Sequence, residues 1–133
     1  MSVRPFVDTN VLLYLISADA HKAARAEQVL AGRILISVQV LNEFANIALR
    51  KHKMPWAGLT EVLSGIQHFA EVRPLTLDTH QRGLALAQRY QINLYDALIA
   101  AAALEAGCDT LLTEDLQHGQ VLDRQLSIHN PFV

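Results

Sequence analysis

Short apolar runs alternate with longer helix-like segments along this chain, and this alternation restricts the fold more than any other feature. Strands are predicted at four apolar runs: residues 3–7, 34–36 and 72–75, and Thr110–Leu112. Residues 125–129 are a candidate for an additional edge strand, so four or five strands are expected. Helices are predicted between the strands, over residues 9–17, 20–30, 38–52, 55–70, 78–90 and 95–106. The pattern favours an α/β sandwich around a mainly parallel sheet.

Several predicted helices carry end signals. Ser37 and Asp78 are each placed to cap the N-terminus of a helix, because their side-chain oxygens can accept hydrogen bonds from free backbone amides. Pro55 is suited to the first turn of the helix that it begins. Gly32 is expected to end the second helix in the left-handed conformation.

The composition indicates a globular protein with a core. Hydrophobic residues make up 51% of the 133 residues and charged residues 18%, which excludes a disordered chain, and we expect a single domain over residues 1–133. No apolar run approaches the roughly 20 residues of a membrane span, and the N-terminus has no apolar signal core. Cys108 is the only cysteine, so no internal disulfide can form. We therefore expect a cytoplasmic protein with no membrane partner and no export signal.

Four acidic residues lie at or near positions that follow predicted strands. Asp8 and Asp115 follow the first and the fourth strand, Glu43 lies about two turns into the helix after the second strand, and Asp96 lies in the first turn of the alanine-rich helix. Ligands of open α/β sheets bind at the carboxyl ends of the strands. The four acids are therefore candidates for one site.

Each acid also has a purely structural interpretation. Asp8 could cap a helix, and Asp96 could interact with a helix dipole. Glu43 could lie on a solvated helix face, and Asp115 could belong to an ordinary polar turn. Four carboxylates that converge without a cation repel one another, so their joint placement favours a site.

Such a cluster suits metal-dependent hydrolysis of a phosphodiester. Mg²⁺ and Mn²⁺ prefer oxygen ligands, lower the pKa of a bound water and stabilise charge on phosphoryl oxygens. The formal net charge of −2 argues the other way, because nucleic-acid-binding proteins more often carry a basic surplus. A bound divalent cation would offset part of the acidic charge.

The motifs resemble those of a known family. The segments PFVDTNVLLYLI, ISVQVLNEF, LYDALIAAAAL and LLTEDLQHGQ, with the closing IHNPF, resemble the PIN-domain ribonucleases, and among these the VapC-type toxins of toxin–antitoxin pairs. The resemblance runs the whole length of the chain, with the motifs in the family's order. It implies a PIN-like three-layer α/β/α sandwich with a central, mainly parallel sheet of four or five strands.

The resemblance also implies residue roles. The family's acids match four positions of this sequence, which would be both catalytic and metal-binding: Asp8, Glu43, Asp96 and Asp115. Thr113 and Asn10 match its supporting hydroxyl and amide, whereas Glu114 is either a peripheral ligand or a surface acid. The implied activity is that of an endoribonuclease with Mg²⁺ or Mn²⁺ as cofactor and structured RNA such as tRNA as substrate. The implied partners are a cognate antitoxin protein and a second copy of the chain in a homodimer.

One basic cluster could contact RNA. Arg50, Lys51 and Lys53 stand close to Trp56, and Arg82 is a further candidate for a phosphate contact. The cations could instead interact with a helix dipole or lie on a solvated face. Trp56 itself is predicted to be a core anchor.

Two other functions remain as alternatives. A phosphatase of the haloacid-dehalogenase type also begins with an aspartate after a strand, but it needs a second aspartate where this chain has Asn10. It also needs a late lysine, and the last lysine here is Lys53. The non-enzymatic alternative is an inert interaction module that has kept the PIN fold and lost its chemistry.

Overall fold

The computed structural model describes residues 4–133, and its centre is a sheet of six strands in the order β3-β2-β1-β4-β6-β5. The strands are β1 (Phe6–Val7), β2 (Ile34–Ser37), β3 (Ala70–Arg73), β4 (Thr110–Leu112), β5 (Val121–Leu122) and β6 (Leu126–His129). All neighbouring strands are parallel except β5, which runs antiparallel to β6. The predicted, mainly parallel sheet is confirmed, with one more strand than the upper end of the prediction.

In the described part of the chain, six α-helices cover the sheet. They are α1 (Thr9–Leu13), α2 (Ala20–Ala31), α3 (Val38–Arg50), α4 (Trp56–Phe69), α5 (Leu77–Tyr90) and α6 (Leu94–Glu105). A 3₁₀ turn over Tyr14–Ile16 continues α1, where one longer helix was predicted. Helices α1 to α4 form one packed group, and α5 and α6 form another. This arrangement is the predicted three-layer α/β/α sandwich.

The end of the chain differs from the prediction. Residues 125–129 were expected to form an edge strand, but β6 lies inside the sheet because β5 pairs along its outer side. Strand β5 has only two residues, which adopt the strand conformation where they pair with Leu126 and Ser127 of β6. At the other end of the chain, Val3 of the predicted strand 3–7 lies outside the described residues.

The helix ends show which of the predicted capping residues are confirmed. Ser37 caps α3 through a hydrogen bond from the Val40 amide, as predicted. The prediction that Asp78 caps α5 is wrong. Thr76 caps it in a capping box, in which the Thr76 hydroxyl accepts a hydrogen bond from the Thr79 backbone amide and the Thr79 hydroxyl accepts one from the Thr76 backbone amide. Gly32 is not left-handed, since the residue after it, Arg33, takes the positive φ of 62°.

The alanine-rich helix α6 lies in the core, with eight consecutive residues buried. It packs so closely on α5 that a Cβ added at Gly83 would lie 2.6 Å from the Leu98 Cδ2 atom. Cys108 is also fully buried.

Trp56, predicted to be a core anchor, is 72% exposed at the first residue of α4, and that prediction is wrong. Among the described residues, none of the helices combines the length and apolar character that crossing a membrane requires.

Candidate metal centre

Three carboxylates meet at the carboxyl edge of the parallel sheet. Asp8 directly follows β1, Asp115 lies in the loop after β4, and Asp96 is in the first turn of α6. Each offers an oxygen atom, and the three atoms lie within 4.8 Å of one another. Asp8 is buried, Asp96 is partly buried and Asp115 is exposed, so the acidic cluster of these three residues opens to solvent on one side.

The buried carboxylate of Asp8 is held by three donors. The Thr113 hydroxyl donates to its Oδ2 atom over 2.8 Å, and the Asn10 side-chain amide approaches the same oxygen at 3.3 Å. The backbone amide of Thr9 donates to Oδ1 over 2.6 Å, and in this way Asp8 caps α1. Asp8 therefore caps α1 and belongs to the acidic cluster at the same time.

Thr113 and Asn10 also tie the β4 loop to the β1–α1 junction. The Asn10 amide donates to the Thr113 hydroxyl over 3.0 Å, and the Asp115 backbone amide donates to the same hydroxyl over 3.1 Å. In return, the Glu114 backbone amide donates to the Asn10 side-chain oxygen over 3.1 Å. The two bonds of Asn10 join segments about a hundred residues apart, and together with the local bond of the Asp115 amide they set the position of Asp115 relative to Asp8.

Glu43 lies beside the three acids but outside the set that can share one ion. Its Oε1 atom accepts a hydrogen bond of 2.8 Å from the Thr9 hydroxyl. Its charge contributes to the raised pKa of Asp96, so the two carboxylates are close enough to interact. Sequence reasoning did not single out Thr9; its place directly after Asp8 was the available signal.

The electrostatics of the cluster favour bound protons when no cation is present. Burial raises the pKa of Asp8 to about 7, and the charges of Asp96 and Asp115 add to the rise while hydrogen bonds from Thr113 and the Thr9 amide oppose it. Burial also raises the pKa of Asp96 to about 6, with further contributions from Asp115 and Glu43. A divalent cation would reverse this balance, because it stabilises the ionised carboxylates.

Glu114 points away from the acidic cluster. Its carboxylate accepts hydrogen bonds from the Tyr14 hydroxyl at 2.7 Å and from the Lys22 ammonium at 3.1 Å. The Lys22 nitrogen also lies over the rings of Tyr14 and Phe132. The side chain of Glu114 therefore links the β4 loop to α2 and to the end of the chain.

The candidate RNA-binding cations lie in two places. Arg50 and Lys51, at the end of α3, line a cavity of about 260 Å³ together with Asn46 and Ile47, and Lys53 follows in an exposed loop. Arg82 instead lies 3.9 Å from a carboxylate oxygen of Asp123. That carboxylate follows β5 at the amino-terminal edge of the sheet, opposite the acidic cluster.

Comparisons with known proteins identify the family. Residues 6–121 match the PIN domain. A search of curated protein sequences finds no significant match. A toxin–antitoxin complex from Klebsiella pneumoniae contains a chain with 22% identity and a TM-score of 0.72, and the match covers 96% of this chain and 97% of that one. VapBC2 from Rickettsia felis, bound to a DNA fragment from their promoter, shows 19% identity, a TM-score of 0.70 and coverage of 96% and 98%.

VapC20 from Mycobacterium tuberculosis, a toxin that cleaves the sarcin–ricin loop, shows 19% identity and a TM-score of 0.65, with coverage of 80% and 85%. At such identities the structural matches establish a common fold. The family match covers most of the chain, including the strand ends from which Asp8 and Asp115 extend. The chain belongs to the PIN domain family.

Proposed function

We propose that this protein is a metal-dependent endoribonuclease that acts as the toxin of a toxin–antitoxin pair. The observation that carries the proposal is the convergence of Asp8, Asp96 and Asp115 within 4.8 Å. Membership of the PIN domain family supports a nuclease, and similarity in fold to VapC20, a toxin that cleaves RNA, supports RNA as the substrate. Similarity to chains of toxin–antitoxin complexes supports an antitoxin partner.

The donor set suits Mg²⁺ or Mn²⁺. Both ions prefer oxygen ligands, and the acidic cluster offers three carboxylates with no nitrogen or sulfur donor among them. The pKa values of Asp8 and Asp96 are raised mainly by burial and further by neighbouring carboxylates, and a bound cation would offset both effects by stabilising the ionised forms. We assign metal binding to these three acids, with Glu43 as an outer carboxylate. When bound, the ion supplies Lewis-acid stabilisation of a phosphoryl oxygen and a water of lowered pKa.

The protein's own groups orient and assist the reaction. Thr113 and Asn10 hold Asp8 in one orientation and fix the loop that carries Asp115. The Thr9 hydroxyl restrains one oxygen of Glu43. The other oxygen is available to accept a proton from the attacking water, which is the role we assign to Glu43.

The proposal extends to the substrate and the partners. We propose structured RNA, with tRNA as the first substrate to test, a cytoplasmic location and a homodimer as the toxin's own assembly. Arg50, Lys51 and Lys53 are the proposed phosphate contacts, because Arg50 ends the helix that also carries Glu43 and Lys51 directly follows it. Arg82 is a weaker candidate, since its guanidinium faces Asp123.

The test uses purified protein freed of any antitoxin. It should cleave tRNA in Mg²⁺ or Mn²⁺ and stop in EDTA, and Asp96→Asn should abolish cleavage while the variant remains folded by circular dichroism. Asp78→Asn is the matched control, because Asp78 also lies in the first turn of a helix but is exposed and outside the cluster. Undiminished cleavage in EDTA or by Asp96→Asn would refute the mechanism. A protein that neither cleaves RNA nor gains stability from Mn²⁺ would support the inert interaction module.

A further inference from the structure

A cavity of about 300 Å³ opens beside the acidic cluster, between α3 and the start of α6. Its lining consists of one aromatic ring, one carboxylate and three side-chain amides: Tyr95, Glu43, Gln39, Asn42 and Asn46. Glu43 belongs to this lining and also receives the hydrogen bond from Thr9 next to Asp8. The cavity, which we call the α3–α6 cavity, is therefore continuous with the surroundings of the three acids.

Tyr95 presents an exposed ring on a rigid support. It is 57% exposed and directly precedes Asp96 in the first turn of α6. Its backbone amide donates to the Asn93 side chain over 2.8 Å, and the helix that follows is buried from Ala97 to Leu104. An aromatic side chain with this exposure and support offers a flat face for stacking at a fixed distance from the acidic cluster.

The three amides are free to bind a ligand. Gln39, Asn42 and Asn46 lie along one face of α3, and none of their side chains hydrogen-bonds another residue in the described part of the chain. Each side-chain amide offers two donors and one acceptor without a charge. Such groups can read the edge of a heterocyclic base, as Asn and Gln do with adenine.

Charge separates two parts of the α3 surface. Among residues 4–133, the lining of the α3–α6 cavity contains the carboxylate of Glu43 and no cation, so the cavity disfavours a phosphate and favours an uncharged ring. Asn46 also lines the neighbouring cavity that holds Arg50 and Lys51, where a phosphate is favoured. Arg50 lies one helical turn, about 6 Å along the axis, beyond Asn46. The alternation of a ring site and a cationic site matches that of bases and phosphates in a single strand.

We propose that the α3–α6 cavity binds one unpaired nucleobase of the RNA, next to the phosphodiester held at the acidic cluster. The proposal rests on the proposed ribonuclease function and adds a base-binding site to it, made by residues of α3 and α6. Tyr95 stacks on the base, and the amides of Asn42 and Asn46 hydrogen-bond its edge. A base inside a duplex cannot do this, because its faces are stacked and its pairing edge is occupied.

The test compares RNA strands with and without bases. The probes are fluorescein-labelled octamers of A, C, G and U and an octamer with abasic riboses, bound in Ca²⁺ and checked afterwards on a gel for cleavage. The wild-type protein should bind at least one base-bearing octamer on the order of tenfold more tightly than the abasic one, which is the scale of one stacked base. Tyr95→Ala should remove this difference and leave abasic binding unchanged, whereas Tyr95→Phe should keep it.

Control variants separate the parts of the surface. Phe69→Ala changes another exposed aromatic residue and should keep the difference between base-bearing and abasic strands. Arg50→Ala should weaken binding of both kinds of strand by the same factor, because it removes a phosphate contact. Asn46→Ala should change the ranking of the four bases, since it removes an edge contact.

The outcomes distinguish this proposal from the proposed function. If the wild-type protein cleaves RNA but prefers no base-bearing octamer, or if Tyr95→Ala keeps the preference, the nucleobase site is refuted and the ribonuclease function is not. If Tyr95→Ala changes the molecular mass measured by sedimentation and keeps the preference for base-bearing strands, the Tyr95 ring contacts a second copy of the chain. That result would also refute the nucleobase site. A wild-type protein that neither binds nor cleaves RNA would refute both proposals.

Discussion

The replacement of Asp96 by Asn should stabilise the metal-free protein at alkaline pH, although it removes a proposed catalytic group. In the folded state the pKa of Asp96 is raised from 3.8 to about 6, mainly by burial and next by Asp115 and Glu43. Folding therefore raises the free energy of the ionised Asp96 carboxylate relative to its protonated form. Asparagine has a similar shape and carries no charge, so the variant avoids this penalty.

The pH dependence follows from the direction of the shift. Between about pH 4 and pH 6 the folded state binds more protons at Asp96 than the unfolded state, so the stability of the wild-type protein falls as the pH rises. At a pH below the pKa of Asp96 in the unfolded state, this effect makes little difference between the stabilities of the wild-type and variant proteins. Above about pH 7 the penalty is complete, and the advantage of the variant no longer grows.

The magnitude can be worked from the shift. A rise of about two pKa units corresponds to a ceiling of about 3 kcal/mol. Asp96 is partly exposed, and solvent screening reduces the expected gain to about 1–2 kcal/mol at pH 8. At pH 4.5 about a third of that gain should remain. The lost interaction of the carboxylate with the helix N-terminus opposes the gain by about 0.3–1 kcal/mol, which Asp78→Asn measures separately.

Urea unfolding in EDTA at pH 4.5 and pH 8 provides the assay, with Asp78→Asn as the matched control. Repeating it in millimolar Mn²⁺ should reverse the order of stability, because only the wild-type protein keeps all three carboxylates and gains from ion binding. The reasoning is refuted if Asp96→Asn is no more stable than Asp78→Asn at pH 8 in EDTA. A gain that is independent of pH would refute it equally.

Further predictions concern packing and the acidic cluster. Gly83→Ala should destabilise the protein by about 1–3 kcal/mol in urea, because the new Cβ would lie 2.6 Å from Leu98. Gly65→Ala, whose Cβ meets no atom within 4 Å, should instead stabilise it by about 0.5–1 kcal/mol. Thr113→Val should weaken Mn²⁺ binding in calorimetry, since Asp8 loses its 2.8 Å hydrogen bond; unchanged affinity would contradict this role. Wild-type affinity for Mn²⁺ should fall as the pH drops from 8 to 6, because the pKa of Asp8 is about 7.

Local patterns predicted the elements that carry the cluster. The strand-end rule placed Asp8 and Asp115 correctly in the fold, and the first-turn position of Asp96 on the alanine-rich helix is confirmed. These positions depend on hydrophobic runs and capping residues within a few positions along the chain. Their roles in metal binding and catalysis stay predictions until the variants are tested.

Predictions were missing or wrong for features that depend on contacts between residues distant in sequence. Trp56 is exposed, because an aromatic residue at a helix start is buried only if another element covers it. Strand β5 exists only through its pairing with β6. The partners of Glu114, Tyr14 and Lys22, lie about a hundred residues away in the chain, and no local signal pointed to them.

The sequence by itself determined the alternation of strands and helices and the acids at the strand ends, because periodicity and capping act over a few residues. Only the tertiary structure decided that three of these acids approach within 4.8 Å and that Glu43 stands beside them. It also decided that Asp8 is buried enough to have a pKa of about 7. Distances and burial of this kind depend on how α6 and the β4 loop are placed on the sheet, which requires every layer of the fold to be in place.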